Sequence, residues 1–175
     1  MGKRSSFERI PRDFYPTPRE AVLPLLPHLS PGTSFAEPCA GDGALIRHFC
    51  DHGHTLFEGS DIEPRADWIG TADATAQSYG NMRGAVFITN PPWDRSILHS
   101  IILNLSRQAP TWLLFDADWI HTRQSAPFVP YLRKIVSVGR VKWIPGSPFT
   151  GKDNCAWYLF DQASDAPAQF IGRTA

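Results

Sequence analysis

An asparagine, two prolines and a tryptophan, Asn90-Pro91-Pro92-Trp93, follow an apolar run, Ala85-Val86-Phe87-Ile88-Thr89, that reads as a buried strand. The prolines forbid helix directly after the strand and remove two backbone donors, so nearby carbonyls stay open to accept hydrogen bonds. An amide, open carbonyls and an aromatic plane then converge at the strand's end. Such a set can hold a planar ring bearing an exocyclic amino group: Asn90 and a neighbouring carbonyl accept the two amino hydrogens while Trp93 stacks on the ring. The same four residues would equally make a strand-ending Asn-Pro turn over a buried Trp.

A second set lies upstream, where Pro38-Cys39-Ala40-Gly41-Asp42-Gly43 joins a short strand over 33–37 to a helix over 44–52 with Leu45, Ile46 and Phe49 on one face. Glycines in such a turn let the backbone approach a ligand at the carboxyl edge of a parallel sheet. The third glycine of the dinucleotide fingerprint is missing, and no Gly-Lys-Ser/Thr follows as a phosphate loop requires, so a loose glycine turn fits as well. The next strand, 56–60, ends at Asp61, with Glu63 close behind. Asp61 stands 18 residues beyond Gly43, near the roughly 20 expected of an acid that takes both hydroxyls of a ribose; a solvated loop acid is the alternative. The segment 68–73 suggests a helix end and a short strand, leaving Asp73 at the same edge, where it could accept from an adenine amino group.

The elements that must carry these residues alternate. Thr17, with Pro18 after it and Glu20 three residues on, has the capping-box pattern for a helix through Ala21, Val22, Leu25 and Leu26, shortened by Pro24 and Pro27. Residues 96–108 make the clearest helix, with Ile97, Ile101 and Leu105, and Leu98 and Ile102 beside them, expected in the core. A buried strand over 111–115 ends in Asp116-Ala117-Asp118-Trp119, and 123–132 is predicted helical despite Pro127 and Pro130. Strands over 135–144 and 155–160 are joined by a ten-residue loop, 145–154, long for a hairpin and therefore a candidate for function. Strands alternating with helices, then a terminal hairpin, call for a mostly parallel sheet covered on both faces. The organisation read from this is a flexible basic arm over 1–13 with Lys3, Arg4, Arg9 and Arg12, one domain over 14–161, and a frayed tail over 162–175.

Composition narrows the classes. Lys plus Arg and Asp plus Glu are both 17 in a chain of 175 residues, so no overall field holds a polyanion and any nucleic-acid contact must come from a local patch. Cys39, Cys50 and Cys155 lack Cys-x-x-Cys spacing, which argues against a disulfide framework or zinc site and for reduced thiols. The six histidines show no ligand spacing, so no metal is expected. No apolar run approaches the roughly 20 residues of a membrane helix, and the N-terminus has no signal-like region; a soluble, cytoplasmic protein is expected.

Taken together, Tyr15-Pro16-Thr17-Pro18, Glu37-Pro38-Cys39-Ala40-Gly41-Asp42-Gly43, Asp61, Asp73 and Asn90-Pro91-Pro92-Trp93 resemble the S-adenosylmethionine-dependent amino-methyltransferases, most closely the DNA adenine-N6 type. The likeness spans 13–161. It implies a Rossmann-like α/β fold with a seven-stranded, mostly parallel sheet and an antiparallel strand near the C-terminus. It also implies S-adenosyl-L-methionine as cofactor, with residues 14–18 and the 37–43 loop around its methionine end, Asp61 on the ribose and Asp73 on the adenine amino group. Tyr15, Thr17, Pro18, Glu37, Pro38, Ala40, Gly41, Gly43, Asp61, Ile62, Asp73, Ala74 and Asn90 form the expected cofactor-binding set. Asn90, Pro91, Pro92 and Trp93 become the catalytic set. Methyl transfer of this kind is direct and needs neither metal nor covalent enzyme intermediate. The target-recognition domain usual in such enzymes is not expected in a chain of this length. Recognition should then fall to the basic arm over 1–13, the 145–154 loop with Lys152, and Arg95, Arg123, Arg140 and Lys142 if they share a face, with Trp93, Arg95, Phe149 and Lys152 as the substrate-binding residues. The likeness suggests a compact, phage-type DNA enzyme. An RNA adenine methyltransferase, a protein glutamine methyltransferase and a non-catalytic nucleic-acid-binding module remain alternatives, and the oligomeric state is open.

Overall fold

The strands expected through the middle of the chain form, two of them, 85–89 and 111–116, as runs mostly of β-branched, aromatic and aliphatic residues bounded by turn formers. The computed structural model describes residues 14–173 except Pro145, Ser147 and Phe149. The basic arm expected over 1–13 and the proposed substrate residue Phe149 lie outside the described residues. The elements are α1 (Arg19–Val22), β1 (Ser34–Glu37), α2 (Ala44–Asp51), β2 (Thr55–Asp61), β3 (Gly70–Thr71), β4 (Ala85–Thr89), α3 (Arg95–Ser106), β5 (Thr111–Asp116), β6 (Leu132–Gly139), β7 (Cys155–Phe160) and β8 (Gln169–Ile171). They build one eight-stranded sheet in the order β3-β2-β1-β4-β5-β7-β6-β8. Only β7 runs against its neighbours, slotted between β5 and β6 with Leu113 opposite Tyr158 and Val136 opposite Trp157.

Alternation along the central strands divides the core into two layers. Trp112, Leu114 and Trp157 point to one face, where they meet Val22 and Leu25 from the α1 segment and Leu45, Ile46 and Phe49 from α2. Leu113, Phe115, Tyr158 and Phe160 point to the other, against Leu98, Ile101, Ile102 and Leu105 of α3 together with Trp119 and Phe128. Both faces are therefore covered, as a parallel sheet requires. Asp94 starts α3 by accepting from the backbone N–H groups of Ser96 and Ile97. The Ile97 side chain, expected in the core, is exposed, whereas the other four apolar residues expected there from α3 are buried.

Four further expectations are corrected. The sheet has eight strands rather than seven, because part of the supposed frayed tail pairs: Lys134, Ile135 and Val136 of β6 align with Gln169, Phe170 and Ile171 of β8. The strand placed at 135–144 instead occupies Leu132–Gly139, ended by Gly139 in the left-handed region (φ 90°). The helix expected over 123–132 is a pair of 3-10 turns, Arg123–Ser125 and Val129–Tyr131, since Pro127 and Pro130 deny the donors a longer helix needs. Finally, the capping box at Thr17 does not form. Pro18 is the capping residue, without a side-chain bond, α1 is a single turn, and a 3-10 turn at Leu26–His28 follows it.

Candidate functional site

The carboxyl ends of β1, β2 and β4 deliver Glu37, Asp61 and Asn90 to one edge of the sheet. Register explains it: Ala36 lies opposite Glu58 on one side and Phe87 on the other, so the three strands finish side by side. Thr17, freed from the capping role, is buried, and its hydroxyl accepts from Asn90 Nδ2 at 3.2 Å. That bond fixes the amide with Oδ1 turned away from Thr17, available to accept from an incoming amine. Glu20, the other half of the expected box, instead accepts from the Lys142 backbone N–H at 2.6 Å. Together with a bond from Trp157 Nε1 to Ala21 O, this seats the 14–22 segment across the strands that carry the site.

Glu37 is the least comfortable group in the site. It is buried, and its Oε2 has no hydrogen-bond partner. Burial, then the charges of Asp61 and Asp42, push its pKa well above the ordinary value, while a bond from the Ile46 backbone N–H opposes them. Leaving a buried carboxyl oxygen unsatisfied costs on the order of 1–3 kcal/mol or more, which is a reason to expect a donor from outside the chain.

Above Glu37 the turn at 38–43 is tied down on all sides. Ala40 N donates to Ser60 O and Gly43 N to Ala40 O. Gly41 N donates to Asp61 Oδ2 at 2.8 Å, and the other Asp61 oxygen accepts from Glu63 N at 2.8 Å. Gly41 and Gly43 both have positive φ (54° and 78°). A Cβ on Gly41 would stand 2.5 Å from the Phe14 ring, and one on Gly43 2.4 Å from the Trp68 indole. The glycines thus make room for two aromatic rings as well as for a backbone turn.

The remaining residues named from the sequence fall around this centre. Tyr15 and Pro18 flank Thr17 and are half-buried, Pro38 and Ala40 are buried in the turn, and Ile62 is exposed just past Asp61. Asp73 is exposed. Its Oδ1 accepts from the backbone N–H and hydroxyl of Thr75 at 2.9 and 2.7 Å, holding its carboxyl below the usual range; Ala74 beside it is buried. On the far side of Asn90, Pro91 is buried and Trp93 half-buried.

Trp143 completes this side. Its ring meets Trp93 edge to face, with centroids 6.0 Å apart. Sequence reading placed Trp143 inside a strand, whereas the early end of β6 turns it onto Trp93. Asp116, at the end of β5, adds a half-buried carboxyl whose pKa is raised chiefly by burial. Arg95, Arg123, Arg140, Lys142 and Lys152 are all exposed, on the segments that follow β4, β5 and β6 or precede β7. Arg95 Nη1 donates to Gln124 Oε1 at 2.6 Å, joining two of those segments.

Two surface hollows, one lined by 80–86 and 108–110 and one by Leu26, Leu29, Pro31, His52 and His54, open at the opposite, amino edge of the sheet. Among the described residues, no three His, Cys, Asp or Glu side chains are grouped to hold a metal, and no helix is long and apolar enough to cross a membrane.

No protein-family model and no curated protein sequence matches the chain. Solved structures do. A protein proposed to be a class I S-adenosylmethionine-dependent methyltransferase, from Listeria monocytogenes, superposes with TM-score 0.54 at 11% identity over 87% of this chain and 61% of its own. The fold is that of the class I methyltransferases. The methyltransferase subunit of a type I restriction-modification system from Streptococcus thermophilus gives TM-score 0.55 at 9% identity over 90% of this chain and 47% of its own. A protein proposed to be an RNA methyltransferase, from Pyrococcus horikoshii, gives 0.54 at 14% identity over 84% and 85%. The chain spans about half to three-fifths of the first and second of these and most of the third.

Proposed function

We propose that this chain is an S-adenosylmethionine-dependent methyltransferase that modifies the exocyclic amino group of adenine in DNA. One observation carries the reading. The Asn90 amide, held by the buried Thr17 hydroxyl, lies at the strand ends between a glycine turn and an aromatic pair, Trp93 and Trp143.

The residues at the glycine turn fit the cofactor. The partnerless Glu37 Oε2 matches a ligand that brings a buried N–H donor, as the ammonium of a methionine does. Asp61 takes one N–H on each carboxylate oxygen and keeps lone pairs for ribose hydroxyls. Asp73, at the same edge, suits the adenine amino group as an acceptor. When bound, the cofactor supplies an electrophilic methyl group on a sulfonium.

The chain's own part is positioning. Asn90 Oδ1 and the Pro91 carbonyl accept the two amino hydrogens of the target, drawing the nitrogen lone pair out of the ring system and toward the methyl group. Trp93 stacks on the base, and Trp143 backs Trp93 edge-on. A base in duplex DNA must first be turned out of the helix, at a cost of a few kcal/mol that stacking partly offsets. The exposed Arg95, Arg123, Arg140, Lys142 and Lys152 surround the same edge and suit phosphate contacts, which position a polymer without reading it.

The experiment is transfer of labelled methyl from S-adenosylmethionine to separate pools of duplex DNA, single-stranded DNA, RNA and protein. Label in adenine of DNA is expected; label confined to RNA or protein replaces the substrate, and label in none removes the reading. Asn90→Ala should cut transfer by about 10²–10³-fold, by analogy with loss of an oxyanion-hole donor, with cofactor affinity close to unchanged.

A further inference from the structure

The charges around the glycine turn are unevenly matched. Glu37, Asp42 and Asp61 converge there, and Asp73 stands further along the edge. These acids suit the positive ends of a zwitterionic ligand and repel its negative end, so a carboxylate must be met by a cation at the mouth of the site. Two arginines are near enough. Arg47 is committed: its Nη1 donates to Asp42 O at 2.7 Å and its Nη2 lies 3.6 Å from Asp42 Oδ2.

Arg65 is different. Its backbone N–H donates to Gly41 O at 2.9 Å, which pins the residue to the turn. Its guanidinium carbon lies 3.9 Å from the centroid of the Phe14 ring, and that ring occupies the space a side chain on Gly41 would need. Among the described residues Arg65 makes no ion pair, although Asp61 lies only four positions away; both Asp61 oxygens already accept from the backbone. Stacking occupies the face of a guanidinium and leaves its N–H donors, which lie in the plane, directed outward. That is the geometry for two parallel bonds to a carboxylate.

We propose that Arg65, stacked on Phe14 over Gly41, is the counter-ion for the α-carboxylate at the amino-acid end of the cofactor. The inference rests on the cofactor reading above and adds a residue to it. Phe14 serves as platform: it sets the height of the guanidinium over the turn and limits the freedom lost when the carboxylate arrives. The acids below select the ammonium and sulfonium, while the arginine above selects the carboxylate, so the methionine end is read by charge at both ends.

Calorimetric binding of S-adenosylmethionine and of its decarboxylated analogue to the intact protein separates the possibilities. The wild-type chain should bind S-adenosylmethionine about tenfold more tightly than the analogue, and Arg65→Ala should lose about that factor for S-adenosylmethionine alone. Phe14→Leu, which removes the platform and keeps the bulk, should lose part of the same selectivity. Equal weakening of both ligands in Arg65→Ala, or of neither, overturns the assignment while the cofactor reading stands. If the wild-type chain binds neither at millimolar ligand, the cofactor reading falls and takes this inference with it.

Discussion

Thr17 shows how one hydroxyl decides what an asparagine can do. By accepting from Asn90 Nδ2 it makes the other end of the amide an acceptor, the polarity a target amine needs. Thr17→Val keeps the shape and removes the acceptor. Transfer should fall by about tenfold, the worth of one ordinary hydrogen bond, and Thr17→Ser should restore it; steady-state kinetics on the polymer substrate measures both. Glu37 gives a second expectation at this scale, through pH. Its folded pKa is raised above the ordinary 4.5, first by burial. Such a group stabilises the fold below pH 4.5 and loses that contribution as pH rises through the folded value. The ligand-free protein should therefore weaken from about pH 4.5 upward by this route, and Glu37→Gln should flatten the trend. Urea unfolding of both proteins at several pH values is the check, and an unchanged slope in Glu37→Gln would remove Glu37 from the account.

At the scale of elements, the glycine turn joins backbone strain to packing. Gly43 both caps α2 in the left-handed region and lies under the Trp68 indole, a ring still 53% exposed and so able to shift. Gly43→Ala should then cost about 1–2 kcal/mol from the backbone conformation, with the Trp68 collision adding little. Urea unfolding of Gly43→Ala with and without Trp68→Ala separates the two: a double variant as stable as Trp68→Ala alone would put the whole cost on the ring. Three strands and α3 were legible because burial imposes its period on the sequence: 85–89, 111–115 and 155–160 are near-continuous apolar runs, and Ile101 and Leu105 repeat at helical spacing along α3. What was not legible depended on partners distant in sequence. Thr17 and Glu20 match a local capping pattern, and only the fold shows that Asn90 and Lys142 draw both side chains elsewhere. Trp143 read as a strand residue until Gly139 ended β6. In β8 Phe170 is 71% exposed, so no apolar pattern announces a strand held mainly by its backbone pairing with β6.

At the scale of the whole molecule, balanced charge sets the expectation for the polymer. With 17 basic and 17 acidic residues, binding is expected from local groups of arginines and lysines, those at the carboxyl edge and those of residues 1–13, and contacts of that kind weaken steeply with salt and carry no base information. On the proposed function, methylated adenines should appear in many sequence contexts, and Lys152→Ala should weaken DNA binding far more than cofactor binding. Sequencing of modified positions after exhaustive methylation decides it: a single short motif shared by nearly all of them would show that a loop or partner reads the sequence. The anchoring of the first helix has a consequence of another sort. Ala21 O is held by Trp157 and the Glu20 carboxylate by Lys142, partners 136 and 122 residues away. Contacts so distant form late as a chain leaves the ribosome. A nascent polypeptide that already displays the glycine turn and Asn90 lacks the anchors that seat Thr17 beside them. The site is therefore a product of finished synthesis, and a fragment released early carries the motifs without the geometry.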